Sequence, residues 1–127
     1  MSFGRWLLRV PDHLGDGVMA MPAVKALAEA LDVQLTGPAW TGELYRTGQA
    51  LRPGEKPRPA DGVVLFKPSF RAAWRHRGYA RRIGLAVNRR RWLLTDPVEP
   101  GGGHRADDYT ALAGVLLDFE PGLPSYA

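Results

Sequence analysis

Chemistry in this sequence would have to come from two places. The first is His13-Leu14-Gly15-Asp16-Gly17, where an imidazole and a carboxylate stand three residues apart among glycines. A carboxylate on such a turn can act as general base on a hydroxyl, and a neighbouring histidine can serve as acid, base or ligand. The second is the run from Lys67 to Arg91, which holds Lys67, Arg71, Arg75, Arg77, Arg81, Arg82, Arg89, Arg90 and Arg91 and no Asp or Glu. Guanidinium groups gathered in this way bind carboxylates and phosphates through charge-assisted, often bidentate hydrogen bonds.

Each feature also has a plainer reading. Taken alone, Gly15-Asp16 is better explained as a helix cap, with Asp16 accepting from free backbone N–H groups. His13 reads as a solvated loop residue, since nothing near it has metal-ligand spacing, and His76 and His104 call for the same reading. Asp107 and Asp108 suit the first turn of a helix, where the helix dipole favours carboxylates, more than they suit a metal site. The arginine run is harder to dismiss, because bases unmixed with acids repel one another. It reads as a surface for an anionic partner. Phe70, Trp74, Tyr79 and Trp92 interleave with it, and they fit either stacking on bases or burial in a core.

Composition narrows the classes. The 127 residues are 45% hydrophobic and 24% charged, which suits one globular domain with a buried core. There is no cysteine, so a disulfide framework is excluded and a metal would have to rest on His, Asp and Glu. No apolar stretch is long enough for a signal peptide or a membrane span, so a cytoplasmic location is expected, with peripheral contact at a membrane face left open. The net charge of +4 is unevenly laid out: the run 67–91 contributes nine bases, and the remainder carries eight bases against thirteen acids. A phosphate loop, a Gly-x-Ser-x-Gly elbow and the full dinucleotide fingerprint are all missing.

The elements that must position these residues follow from periodicity. Arg5 to Val10, Val33 to Thr36, Gly62 to Phe66 and Arg82 to Ala86 read as strands, with Trp92 to Thr95 a further extended piece. Val18, Met21, Val24, Leu27, Ala28 and Leu31 recur at helical spacing, with Pro22 in a first turn or at a kink. A weaker helix is expected over Ala39 to Leu51, a loop over Leu51 to Asp61, helices over Phe70 to His76 and His104 to Asp118, and turns over Asp96 to Gly103. Alternating strands and helices predict an α/β fold, a Rossmann-like open, mainly parallel sheet with helices on both faces.

The stretch Leu8-Arg9-Val10-Pro11-Asp12-His13-Leu14-Gly15-Asp16-Gly17, continued through Pro22-Ala23 to Leu27, resembles the opening of the ADP-heptose:lipopolysaccharide heptosyltransferase family. That opening is a strand, a Leu/Met-Gly-Asp turn and a helix with a Pro-Ala or Pro-Leu step. Pro68-Ser69-Phe70-Arg71-Ala72-Ala73, Gly78-Tyr79-Ala80-Arg81-Arg82-Ile83-Gly84-Leu85 and His104 to Leu112 are more loosely similar to later segments of the same family's first domain. Where many members have Asp-x-x-Gly after the third strand, this chain has Leu65-Phe66-Lys67-Pro68.

The resemblance implies that residues 1–127 form one Rossmann-like domain, the acceptor-binding N-terminal half of a GT-B type glycosyltransferase, and that the C-terminal half holding the nucleotide sugar is absent from this sequence. It implies an inverting, metal-independent transfer in lipopolysaccharide or cell-envelope glycan synthesis, with no cofactor beyond a donor such as ADP-heptose. Asp16 would be the general base. Arg71, Arg75, Arg77 and His13 would hold an anionic glycolipid or glycan acceptor, and the chain alone would be inactive. The alternative is a non-catalytic anion- or RNA-binding module built on segment 67–91; the glycosyltransferase reading expects no nucleic-acid partner. A third possibility is a structural half-domain that pairs with another polypeptide, or with a donor-binding domain.

Overall fold

The computed structural model describes residues 4–52 and 54–117. Six parallel strands form one open sheet: β1 (Arg5–Arg9), β2 (Asp32–Thr36), β3 (Gln49–Ala50), β4 (Gly62–Leu65), β5 (Arg81–Leu85) and β6 (Asp96–Val98), in the order β3-β2-β1-β4-β5-β6. The expected fold class is therefore the observed one. The order reverses between β1 and β4, where Arg9 lies opposite Leu65. In open sheets of this kind, a crevice opens beyond the carboxyl ends of the strands at that reversal.

Strand side chains alternate between the two faces, and each face meets different partners. Trp6, Leu8, Val10, Val64, Phe66, Ile83 and Leu85 turn to the face covered by α1 (Leu14–Met19), α2 (Met21–Ala30), α3 (Thr41–Tyr45) and α5 (Arg105–Leu117). This is the larger core, closed by Val24, Leu27, Leu112, Ala113 and Leu116. Leu7, Val63 and Leu65 turn the other way, to Ala72 and Ala73 of α4 (Phe70–Arg75) and to Leu51, Leu93 and Leu94. That second face is covered by little more than a six-residue helix and a 3-10 turn at Arg91–Leu93.

The helix expected from Val18 onward is two helices. The chain breaks at Ala20, and Pro22 falls in the first turn of α2, where its missing N–H costs no intrahelical bond. The break rotates α1, so Val18 points outward at 49% exposure instead of joining the core stripe. The helix expected over Ala39 to Leu51 shrinks to α3, which stops at Arg46 in a left-handed conformation. The chain then turns at Gly48, with φ +63°, into the two-residue edge strand β3. Trp92 to Thr95 is extended only in part: Trp92 and Leu93 belong to the 3-10 turn and Leu94 is extended. Within the expected turns of Asp96 to Gly103 lies β6, whose Pro97 lacks an N–H and is accommodated because the strand is an edge. Asp118, expected to end the last helix, lies outside the described residues.

Gly17 shows how closely α1 is held. A Cβ there would lie 2.5 Å from the Trp40 ring, and the Gly17 carbonyl accepts from the Tyr45 hydroxyl at 3.0 Å. Gly17→Val should therefore force α1 away from α3 and cost about 1–3 kcal/mol in urea unfolding. Leu14→Ala, at a side chain on the same helix that is 53% exposed, should change stability by less than about 0.5 kcal/mol. Equal effects of the two changes would contradict this packing.

Candidate functional site

The β1/β4 reversal brings two loops together, Pro11 to His13 after β1 and Phe66 to Ser69 after β4. Both Phe66 N–H and Lys67 N–H donate to the Arg9 carbonyl, at 2.9 and 3.2 Å. Across this junction lies Asp12. One carboxylate oxygen takes the Arg9 guanidinium at 2.7 Å and the other the Lys67 ammonium at 2.6 Å. Burial alone would raise the Asp12 pKa, but the hydrogen bonds and positive charges of Lys67 and Arg9 outweigh it and hold the carboxyl below its usual value. Asp12 is thus a brace with both oxygens occupied.

Asp16 is placed differently. It sits in the first turn of α1, half-buried, and its carboxylate makes no hydrogen bond or ion pair among the described residues. The N-cap is His13, whose side chain makes no capping bond, so the plain reading of Asp16 as the cap does not hold. The helix nevertheless favours a carboxylate at this end. Asp16 is within electrostatic reach of the buried Tyr109 hydroxyl, which also has Arg105 beside it. Burial, and then the negative charge of Asp16, raise the Tyr109 pKa against the opposing pull of Arg105. Tyr109 packs edge-on against Phe66, with ring centroids 5.8 Å apart. The carboxylate is therefore half-buried, within electrostatic reach of a buried phenol, and uncommitted among the described residues.

The arginine run divides into two kinds of residue. Most of its charges are used within the chain: Arg81 pairs with Asp96 at 2.7 Å, Arg91 pairs with Glu99, and Arg82 donates to the carbonyls of Leu93 and Tyr79. Arg77 folds back on α4, donating to the Trp74 carbonyl at 2.8 Å with its guanidinium 4.0 Å from the Trp74 ring centre. Arg71 and Arg75 stay exposed, one turn apart on α4, and Arg89 is exposed as well; none of the three has a hydrogen-bonded or ionic partner among the described residues. Arg71 lies in the first turn of α4, directly after the β4 loop. Of the aromatics, Tyr79 packs against the second core while Phe70, Trp74 and Trp92 remain exposed.

Arg90 has the opposite character to the one its neighbours suggest. Its guanidinium is buried and donates to the carbonyls of Leu85, Lys67, Ser69 and Leu65, at 2.9, 2.8, 3.2 and 3.5 Å. Burial pushes its pKa down to about 10, so it stays charged at neutral pH. Two left-handed residues, Asn88 and Arg89, turn the chain so that Arg90 enters, and Asn88 itself donates to the Pro68 carbonyl at 2.6 Å. Gly84 leaves the room, for a Cβ there would lie 2.9 Å from the Arg90 guanidinium. The loop that carries Lys67 and Ser69 is thereby fixed to β5. Neither the Asp12 brace nor the Arg90 pin is visible as a motif. The one sequence signal was a Gly at 84 within a strand, which marks a close approach.

Among the described residues, no group of three or more His, Asp or Glu side chains is gathered to hold a metal, and no helix is long and apolar enough to cross a membrane.

Two outcomes are expected. Arg90→Met keeps the length but removes the donors to four carbonyls, and should cost about 3 kcal/mol of stability in urea; a cost under about 1 kcal/mol would contradict the pin. The second concerns His76, whose ring shares a hydrogen bond of 2.8 Å with the Ala72 carbonyl. Burial lowers its pKa, with Arg9 and Arg75 adding to the effect and the Ala72 bond opposing it. A depressed imidazole pKa means that the unfolded chain binds the proton first. Stability is full above about pH 6.5 and falls as the pH drops from there through the folded pKa. His76→Gln should flatten that part of the stability profile, and an unchanged slope would contradict the assignment.

No protein-family model, curated protein or solved structure matches this chain.

Proposed function

We propose that this domain is the acceptor-binding half of an inverting glycosyltransferase of the heptosyltransferase type, with Asp16 as the general base. The reading is supported above all by the contrast between the two carboxylates at the β1/β4 crevice. Asp12 has both oxygens saturated by cations, whereas Asp16, four residues on, makes no hydrogen bond or ion pair among the described residues. A base must accept a proton from the attacking hydroxyl, and a carboxylate not already paired with two cations is the better suited to do so. Its helix is held against α3 and α5, which gives the rigid placement that in-line attack on an anomeric carbon needs.

The acceptor would be anionic. Arg71, exposed and unpartnered at the start of α4, is the first candidate to bind its phosphate or carboxylate, with Arg75 one turn behind and His13 at the rim of the crevice. Arg77 is a weaker candidate, since its guanidinium is committed to Trp74. The leaving diphosphate of a donor such as ADP-heptose would lie on a second domain facing this edge. Cytoplasmic residence in an envelope-glycan pathway follows from the same reading.

Two results test it. With this domain joined to a donor-binding half, Asp16→Asn should lower kcat by about a hundredfold or more while leaving folding intact. Turnover near that of the unmodified protein would reduce Asp16 to a surface carboxylate. Charge reversal at Arg71 and Arg75 should weaken binding of a phosphorylated acidic oligosaccharide and flatten its salt dependence between low salt and about 0.15 M; unchanged binding would remove the arginines from the site.

A further inference from the structure

We propose that α4 and the 3-10 turn after β5 form a docking face for an anionic bilayer surface, with Phe70, Trp74 and Trp92 entering the interface and the arginines beside them meeting lipid phosphates. The three rings are 40%, 45% and 68% exposed, on a face where the sheet is only thinly covered. They form one island. Phe70 stacks on Trp74 with centroids 6.3 Å apart and an interplanar angle of 15°, and it touches Trp92 of the neighbouring turn at 6.2 Å. Large rings left outside at this density are not needed to close the core beneath, which Ala72, Ala73, Leu93 and Leu94 already fill.

Charge decides the kind of partner. Phe70 and Trp74 are four residues apart, so they make one row along α4, and Arg71 and Arg75 make the adjacent row. The latter two have no acidic partner, and Arg77 lies over the Trp74 ring. Between Lys67 and Arg91 no acid interrupts this field. Tryptophan rings, with an apolar body and a polar N–H, settle at headgroup depth, Phe70 adds apolar area beside them, and neighbouring arginines add attraction to anionic lipid. Each signal is weak alone, and reversible anchoring takes the two together. A nucleic-acid platform would stack bases on free ring faces, but the Trp74 ring already has Phe70 against it and the Arg77 guanidinium over it. The face begins immediately after the β4 loop, so a docked domain would hold its carboxyl-edge crevice close to the headgroups. The proposal stands on the exposed rings and does not depend on the glycosyltransferase reading.

Co-sedimentation with vesicles of equal parts phosphatidylglycerol and phosphatidylcholine tests it, with pure phosphatidylcholine vesicles as the comparison. The chain should partition onto the anionic vesicles, shift its tryptophan emission to the blue, be quenched by brominated lipid, and release as salt rises. The triple change Phe70→Ser, Trp74→Ser, Trp92→Ser should lower partitioning at least about tenfold. Trp92→Ser alone, at the most exposed ring, should show a smaller loss with unaltered thermal unfolding, which guards against a folding defect in the triple variant. Failure to partition onto anionic vesicles would overturn the proposal, as would equal partitioning by the ring variants. It would also be overturned if the rings proved to be covered by a second copy of the chain, or if a single-stranded oligonucleotide quenched Trp74 and Trp92 while vesicles did not.

Discussion

A parallel sheet whose order reverses at β1 and β4 leaves the carboxyl ends of those strands facing a crevice, and something must stop the two loops there from parting. In this chain the constraint is electrostatic, an exposed brace beside a buried pin. Asp12 joins Arg9 to Lys67, and Arg90 gathers four carbonyls from β4, its loop and the end of β5. A guanidinium with several fixed donors is well suited to the second task, since it satisfies carbonyls that would otherwise be buried unpaired. The placement of α4, of Ser69 as its cap and of the exposed rings beyond it follows from how these loops are fixed.

The same constraint alters what the arginine run means. As a sequence, 67–91 looks like one continuous basic field. In the fold, Arg81 and Arg91 are paired with acids from beyond the run, Arg82 and Arg90 are bound to carbonyls, and Lys67 belongs to the Asp12 brace. What remains free is mainly Arg71, Arg75 and Arg89. A smaller and more local field results, carried by two arginines of α4 and one of the turn after β5, and those are the groups left to meet an anionic partner.

Much of the fold was legible from periodicity because buried parallel strands carry unmistakable apolar runs, as Gly62 to Leu65 does, and the long apolar helix face of Tyr109, Leu112, Ala113, Leu116 and Leu117 is fully buried. The edges were not legible. β3 has two residues and β6 contains a proline, so neither shows the alternation or length that marks a strand, and only pairing with β2 and β5 creates them. The candidate site was only partly readable: Asp16 drew attention because it follows a strand end and Arg71 through the family resemblance, but residue type could not separate Arg71 from Arg90, one exposed and one buried. That difference arises from the left-handed pair Asn88-Arg89 and the space beside Gly84, both set by tertiary packing.

We propose that the β1/β4 edge, with Asp16 in the helix after one loop and Arg71 in the helix after the other, receives an anionic acceptor. Amide chemical-shift mapping of the chain with a phosphorylated, carboxylate-bearing oligosaccharide tests it most directly. Saturable shifts are expected, concentrated at residues 12–17 and 67–72. Shifts confined to other parts of the sheet, or none at millimolar ligand, would contradict it.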